Sequence, residues 1–266
     1  MSHLNRDQAP FPAHVWKTID DVAMEAAKPL LSGRRYLKVE GPYGLGLTTL
    51  EVGADDYCSS CGEGEAGAIL SRALAVPMLR KACRLSARRL AAHLEKGMPL
   101  TLTEVHDAAE AVARREEAFL YHGQSELGLH GLLNVPGHRE VKGADWGNLD
   151  NALNNVLAAI AALDEAGFHG PYALALPPAQ YNGLFRLYEH TELLQIQHLK
   201  SLCTLGVYKA AVDSPAVVDD HAGALILGQD LRVGYAGSDG IHYQLFVCES
   251  LVLRVDEPAA VCVLTG

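Results

Sequence analysis

The chain has 266 residues, of which 49% are hydrophobic and 20% charged, so it can bury a large core and is not intrinsically disordered. With 22 Lys and Arg against 32 Asp and Glu, its formal charge of −10 argues against a surface that binds nucleic-acid phosphates. The longest apolar run, residues 156–163, is far shorter than the roughly 20 residues of a membrane helix, and the N-terminus does not resemble a signal peptide. We therefore expect a cytoplasmic protein that binds neither nucleic acid nor membranes.

In the first part of the chain, residues 1–12 are polar with two prolines and predict an extended arm that needs a neighbour to order it. Apolar side chains then recur at three- and four-residue steps over residues 13–32, which predicts an amphipathic helix. Residues 36–40 predict a short strand. The stretch 41–67 is rich in glycine and acidic residues, with one alternating segment at 45–52, and indicates a projecting hairpin.

The middle of the chain is predicted to be mainly helical. Residues 80–96 are rich in Ala, Leu and Arg, which favours a helix. Thr101-Leu102-Thr103-Glu104 matches a capping box, in which the Thr and Glu side chains accept hydrogen bonds from free amides at a helix start. The helix that follows is expected to run to about His122. Another helix is predicted over residues 149–165.

The last third alternates between short strands and helix. Residues 179–202 are predicted to be mostly helical, with a break around Glu189-His190-Thr191. Short strands are predicted at residues 172–176, 207–212 and 222–227. Residues 241–255 show the strongest β pattern, because apolar side chains occupy alternate positions. Helices and strands mixed without a regular βαβ repeat indicate an α+β architecture.

The chain contains one candidate thiol motif, Cys58-Ser59-Ser60-Cys61. A lone CxxC could be two loop thiols, a reversible cross-link or half of a metal site. No second CxxC or HxxxH follows, so loop thiols are the favoured interpretation. The four other cysteines are dispersed, which argues against a secreted disulfide framework.

Other catalytic signatures are missing from the sequence. The Gly-rich segment 41–46 lacks the third glycine and the helix start of a dinucleotide fingerprint, and is interpreted as a turn. The twelve histidines form no HExxH, and neither GxSxG nor GxxxxGK[ST] occurs. Glu249 falls on the apolar face of the last strand, where it could be a general acid or base. It is better explained as paired with backbone amides or with an arginine, for which Arg34 and Arg35 are available. We expect no catalytic residue, cofactor or metal, and therefore a structural or binding role.

An ordered set of short segments resembles the encapsulins, the nanocompartment shell proteins also described as linocin-like. The segments, in chain order, are Leu4-Asn5-Arg6 with Ala9-Pro10, Trp16 with Ile19-Asp20, Gly33-Arg34-Arg35, Val39-Glu40-Gly41-Pro42-Tyr43-Gly44, residues 116–123, Gly131-Leu132-Leu133, Gly170-Pro171-Tyr172, residues 226–231, Gly234-Tyr235, Leu245-Phe246, Glu249 and Pro258. Each piece is weak by itself, but the set spans nearly the whole chain.

The resemblance implies the Hong Kong 97-type fold of tailed-phage capsid proteins, an α+β fold with a packing domain, an axial domain and an extended loop. It implies the following division: arm and helix of the packing domain at 1–40, extended loop at 41–72, packing domain at 73–130, axial domain at 131–218, and packing-domain return strands at 219–266 with a C-terminal strand near the axial domain. Cys58 and Cys61 would then be loop thiols available for contacts between subunits.

The same resemblance implies a non-enzymatic shell of sixty subunits or a multiple, enclosing cargo such as a peroxidase, a ferritin-like oxidase or a hemerythrin-like protein. A terminal targeting peptide of the cargo would dock on the inner wall. The residues that match this groove are Ile19, Ala23, Ala26, Leu30, Arg34, Lys38, Asp230, Leu231 and Val233. The alternative for each apolar member is that it packs inside its own domain.

Two further expectations follow from the resemblance. Glu189, His190 and Thr191 match the loop around the fivefold pore, where rings of Glu and His would set the potential for ions. Lys38 replaces a residue that is often acidic in relatives, so the charge preference for cargo peptides can differ. The alternative function is a phage major capsid protein that packages DNA. A bacteriocin or protease function, suggested by older family names, has no supporting residues.

Overall fold

The computed structural model describes residues 3–57, 66–67, 69–186 and 194–266. In these ranges the helices are α1 (Ala13–Ala27), α2 (Ala87–Lys96), α3 (Thr103–His122), α4 (Leu149–Glu165), α5 (Pro178–Gly183) and α6 (Gln195–Leu202). The strands are β1 (Lys38–Glu40), β2 (Thr49–Tyr57), β3 (Ile69–Ala75), β4 (Met78–Ser86), β5 (Arg139–Lys142), β6 (Tyr172–Leu176), β7 (Gly206–Lys209), β8 (Ala216–Asp219), β9 (Gly223–Ser238), β10 (His242–Val255) and β11 (Val261–Thr265).

The described strands form three sheets. One has four strands in the order β1-β9-β10-β4, another has five in the order β5-β11-β8-β6-β7, and β2 pairs only with β3. The long strands β9 and β10 are antiparallel and make up the centre of the four-stranded sheet. Strand β1 joins β9 in parallel, with Lys38 opposite Ala224. β1 and β4 are therefore the two edges of this sheet.

Two hydrophobic cores lie on these sheets. In the larger core, α1 packs on α3 and β9, and α3 also packs on β4 and β10. Small residues such as Ala109 and Ala113 of α3 are fully buried, which lets the helix approach its neighbours closely. In the second core, α4 packs against strands of the five-stranded sheet, with Val156 and Leu163 fully buried.

The N-terminal arm is held by contacts with β9 and α1 of its own chain. The amide of Tyr235 donates to the carbonyl of Leu4 at 2.8 Å, and Arg6 Nε donates to the carbonyl of Val233 at 2.8 Å. The Arg6 guanidinium also pairs with Asp20 at 2.5 Å and lies 4.6 Å from the centre of the Trp16 ring. These bonds fix the entry into α1.

Several predicted elements are confirmed. Helix α4, strand β6 and strand β10 lie where the patterns predicted them, and α3 ends at His122 as expected. The predicted strand at 222–227 is the first part of β9, which continues to Ser238. The predicted helix at 179–202 is confirmed at its two ends, α5 and α6, and the predicted break at 189–191 lies outside the described residues.

Three predictions about helices are wrong. Residues 80–86 belong to strand β4, because pairing with β10 outweighs the helix propensity of Ala, Leu and Arg. Helix α1 ends at Ala27, and residues 33–35 form a separate 3₁₀ turn. The capping box does not form at α3: Glu104 instead accepts a hydrogen bond from the amide of Arg84 at 3.0 Å, and Thr101 accepts one from Arg89 at 3.1 Å.

Candidate functional site

The centre of the candidate site is Arg34, in the 3₁₀ turn Gly33–Arg35 between α1 and β1. Gly33 allows this turn to lie directly on α3, because a Cβ there would be 1.8 Å from Cδ2 of the buried Leu120. The Arg34 side chain thereby enters the space between α3, β9 and β10, and only 17% of it is exposed.

Arg34 binds three carboxylates that come from three different elements. Its Nε and one terminal nitrogen each donate to Glu116 of α3 at 2.7 Å. The other terminal nitrogen donates to Asp230 of β9 at 2.7 Å. The terminal nitrogen that bonds Glu116 also donates to Glu249 of β10, at 3.0 Å. One guanidinium therefore ties the turn to helix and sheet with charge-assisted hydrogen bonds. The predicted pairing of Glu249 with Arg34 or Arg35 is confirmed for Arg34.

A β-bulge brings two of these carboxylates together. In the register of β9 and β10, Gln229 pairs with Ser250 and Arg232 pairs with Cys248. Between these pairs β9 has two residues, Asp230 and Leu231, opposite the single Glu249 of β10. A bulge of this kind re-aims side chains locally. Here both acidic side chains reach the same guanidinium.

The site contains more buried negative charge than Arg34 alone can balance. Glu116 and Glu249 are both fully buried. Burial and the neighbouring charge of Glu116 raise the pKa of Glu249 well above its usual value, although Arg34 opposes them. Arg34 bonds one oxygen of Glu249, and the other, Oε1, has no hydrogen-bond partner among the described residues.

A second buried network lies on the other side of the turn. Glu117 accepts a hydrogen bond from the Ser32 hydroxyl and another, of 3.1 Å, from the amide of Gly33. Ser32 and Tyr36 both bond the Tyr121 hydroxyl, at 2.8 and 3.0 Å. Burial raises the pKa of Glu117 to about 7, although the bonds from Ser32 and Gly33 lower it. Glu117 therefore titrates near neutral pH.

Comparison with known protein families matches residues 1–252 to the family described as "Encapsulating protein for peroxidase". The chain belongs to the encapsulin shell-protein family. Type 1 encapsulin shell protein EncA of Myxococcus xanthus is 29% identical over 99% of this chain and 96% of that protein. The diheme-cytochrome-encapsulin shell fusion protein of Kuenenia stuttgartiensis is 32% identical over 94% of this chain and 72% of that protein.

Solved structures confirm the predicted α+β capsid fold of this encapsulin-family chain. The virus-like particle of Pyrococcus furiosus superimposes with a TM-score of 0.73 at 18% identity, covering 95% of this chain and all of that one. The capsid of Myoviridae phage XM1 gives a TM-score of 0.60, also at 18% identity, covering 89% of this chain and 92% of that chain. Each helix in the described part of the chain is too short or too polar to span a bilayer.

Most apolar side chains predicted to line a cargo groove are buried in the chain's own core. Ile19, Ala23 and Ala26 of α1 are at most 4% exposed, and Leu231 and Val233 of β9 are equally covered. The amphipathic stripe of α1 packs first on α3 and β9, because that burial is available within one chain. These side chains leave almost no surface for a peptide to contact.

The remaining predicted residues retain surface. Leu30, Arg34 and Asp230 are half-buried, and Lys38 is exposed on the edge strand β1. The structure brings Arg34 and Asp230 into direct contact, but Lys38 instead bonds Glu40 at 2.8 Å. The sequence analysis did not single out Val39, which is exposed beside Lys38. Its position next to a polar residue in a short predicted strand was the signal that could have indicated an exposed apolar side chain.

The pore and thiol predictions lie outside the described residues. These are Glu189, His190 and Thr191 for the fivefold pore, and Cys58 and Cys61 for contacts between subunits. Sequence reasoning did not single out Glu116 and Glu117 for their buried contacts. Their position inside a helical apolar pattern was the signal, because a carboxylate there needs a partner.

Replacing Arg34 by Met should leave two buried carboxyl groups without their cation. We expect Arg34→Met to lower the free energy of unfolding by about 3–5 kcal/mol at pH 7.5, measured by guanidinium unfolding followed by tryptophan fluorescence. Arg35→Met is the matched control, since the Arg35 side chain bonds only the carbonyls of Lys28 and Pro29 among the described residues. Equal losses of stability in the two variants would contradict the assignment of Arg34 as the cation that stabilises the buried carboxyl groups.

Glu117 should make stability fall as pH rises towards neutral. Its folded pKa of about 7 lies above the usual 4.5, so its stabilising contribution is complete below pH 4.5 and is lost as pH rises through 7. Between pH 5 and pH 8 the wild type should lose roughly 2.5 kcal/mol of unfolding free energy through this titration, and Glu117→Gln should not. The stability of the variant relative to the wild type should therefore rise by that amount over this pH range. Unfolding curves at both pH values test this. A constant difference between the two proteins would show that Glu117 does not titrate in this range.

Proposed function

We propose that this chain assembles with copies of itself into a closed icosahedral shell of sixty subunits or a multiple, which encloses a cargo enzyme. The observation that carries this proposal is the family match over residues 1–252, on a chain with the capsid fold. In the proposed division, the four-stranded sheet with α1 and α3 belongs to the packing domain, the five-stranded sheet to the axial domain, and β2 with β3 to the extended loop.

The β2–β3 hairpin supports assembly on physical grounds. Among the described residues its strands pair only with each other, and a two-stranded ribbon is marginally stable in water by itself. Ile69 of β3 is 64% exposed and Tyr43, just before the hairpin, is 62% exposed. Contacts with a neighbouring subunit would cover these side chains and stabilise the ribbon.

The alternative function, a phage capsid protein that packages DNA, is less well supported. The phage XM1 capsid shares the fold at 18% identity, whereas the encapsulin shell proteins reach 29 and 32% over nearly the whole chain. The formal charge of −10 per subunit also opposes a DNA-facing wall.

The proposed cargo is a redox or iron-handling enzyme. The family description names a peroxidase, one relative is a fusion with a diheme cytochrome, and another, from Pyrococcus furiosus, is a fusion with a ferritin-like protein. The shell itself would be structural and without catalytic activity. Small substrates would enter through pores, including the fivefold pore predicted at Glu189, His190 and Thr191.

We place the docking site for a terminal targeting peptide of the cargo at the edge strand β1. β1 is the last strand of its sheet among the described residues, so its outer edge can accept an extended peptide as an added strand. Val39 is 41% exposed there and offers an apolar contact. Lys38, which is exposed and pairs with Glu40 at 2.8 Å, would set the charge preference. Modest affinity at each site is amplified by the many copies in a shell.

Assembly is tested by expressing the chain alone. We expect uniform closed particles by negative-stain electron microscopy and one large species by analytical ultracentrifugation at near-neutral pH. Ile69→Asp should lower the fraction in particles about tenfold or more, because a buried carboxylate in the contact is costly, while Ile69→Val should assemble normally. A wild-type chain that stays monomeric or dimeric at every concentration would refute the shell function.

Docking is tested by coexpressing the shell with a fluorescent protein that carries the terminal segment of a redox enzyme encoded beside the shell gene. Lys38→Glu with Val39→Asp should reduce the fluorescence per purified particle about tenfold, since both the apolar and the charged contact are changed. Val39→Leu is the matched control and should load normally. Undiminished loading of intact particles by the double variant would place the docking site elsewhere.

A further inference from the structure

A cavity of about 610 Å³ lies where the end of α1, the middle of α3 and the α5–β7 region meet. Its lining includes Leu30, Arg35, Glu117, Tyr181, Tyr208 and Lys209. This volume is within the range of sites that bind small molecules. The cavity lies on the side of Arg35, whereas the Arg34 side chain points away from it, towards Glu116, Asp230 and Glu249. It is therefore distinct from the Arg34 cluster.

We propose that this cavity binds a small organic anion consisting of a planar ring with a carboxylate or phosphate group. The proposal concerns a ligand of the subunit itself and does not depend on the identity of the cargo or on where the cargo docks.

The lining of the cavity has more positive than negative side chains, which favours an anionic ligand. Arg35, Arg114 and Lys209 all contribute to the lining. Within the described part of the chain, neither Arg35 nor Lys209 forms an ion pair with a carboxylate, and Arg114 pairs with Glu110 of its own helix at 2.8 Å. Glu117, the acidic member of the lining, directs its oxygens to Ser32 and Gly33. A cleft with this excess of positive charge is unusual on a chain of net charge −10 and would attract an anion.

The Arg35 side chain is preorganised for contact with an anion. Its guanidinium donates to the carbonyls of Lys28 and Pro29 at 3.0 and 3.3 Å. These bonds restrict the side chain while leaving other N–H donors available, because a guanidinium has five. Less conformational entropy is then lost when a carboxylate or phosphate binds.

The aromatic lining favours a planar ring on the ligand. Tyr208 stacks on the buried Tyr36 with ring centres 5.6 Å apart, and its hydroxyl donates to the carbonyl of Leu205 at 2.6 Å. Lys209 Nζ lies 5.4 Å from the centre of the Tyr181 ring. A ring with an acidic substituent could therefore contact tyrosine faces while its charge meets Lys209 and Arg35.

The experiment uses assembled wild-type particles and three probes: phenyl phosphate, inorganic phosphate and phenol. Isothermal titration calorimetry should show saturable binding of phenyl phosphate, at least about tenfold tighter than either other probe, since only that probe offers both ring and charge. Equal affinity for inorganic phosphate would overturn the requirement for a ring. Tighter binding of a hexaglutamate peptide than of phenyl phosphate would show that the occupant is an acidic chain segment, and would also overturn the proposal.

Variants locate the binding in the cavity. Arg35→Gln with Lys209→Gln should weaken phenyl phosphate binding by about tenfold or more. Arg88→Gln with Lys96→Gln, which removes the same two charges from α2, should leave it unchanged. Unaltered affinity in the cavity variant, with particles of normal size by light scattering, would overturn the proposal.

A second variant keeps the test valid if the charge variant fails to assemble. Tyr181→Leu retains all three cations, and we expect it to weaken phenyl phosphate several-fold while leaving inorganic phosphate unchanged. An equal loss for both probes, or for neither, would overturn the assigned role of the ring contact.

Discussion

The interaction on which the rest of this structure depends is the pairing of one arginine with three carboxylates. Arg34 joins the turn after α1 to Glu116 of α3, Asp230 of β9 and Glu249 of β10. Charges removed from water in this way are stable only when their partners are present together. The cluster therefore fixes the relative positions of the N-terminal helix, the long helix and the central sheet. Gly33 and the bulge between β9 and β10 provide the geometry that it requires.

The same turn separates two surfaces with different chemistry. On one side Arg34 is neutralised by buried acidic groups. The chain then continues into the edge strand β1, where Lys38 and Val39 remain exposed. On the other side Arg35 faces a cavity in which it and Lys209 have no carboxylate partner among the described residues. Two adjacent arginines therefore have opposite roles, because one points into the protein and the other towards solvent. This division would allow the proposed docking edge and the proposed ligand cavity to coexist on one subunit.

Burial within one chain decides which apolar residues remain for contacts between chains. The stripe of α1 that includes Ile19 and Ala23 is covered by α3 and β9, so its burial contributes to the folding of the single chain. Some exposed apolar side chains lie at a sheet edge or in the hairpin region, as at Val39, Tyr43 and Ile69, and others lie on helices, as at Met24 and Leu157. For a subunit of a shell this distribution is physically reasonable. The core stabilises the monomer, and the edges and hairpin would supply surfaces for the proposed contacts between subunits.

The sequence by itself determined the family, the α+β class, the elements with strong periodicity such as α4, β6 and β10, and the need of Glu249 for a cation. These depend on local patterns and on residue types that chemistry restricts. Only the tertiary structure decided that residues 80–86 form a strand, that Arg34 and not Arg35 meets Glu249, and that Ile19 and Ala23 face the core. Each of these depends on contacts between residues far apart in the chain, such as the pairing of β4 with β10, and such contacts outweigh local propensity.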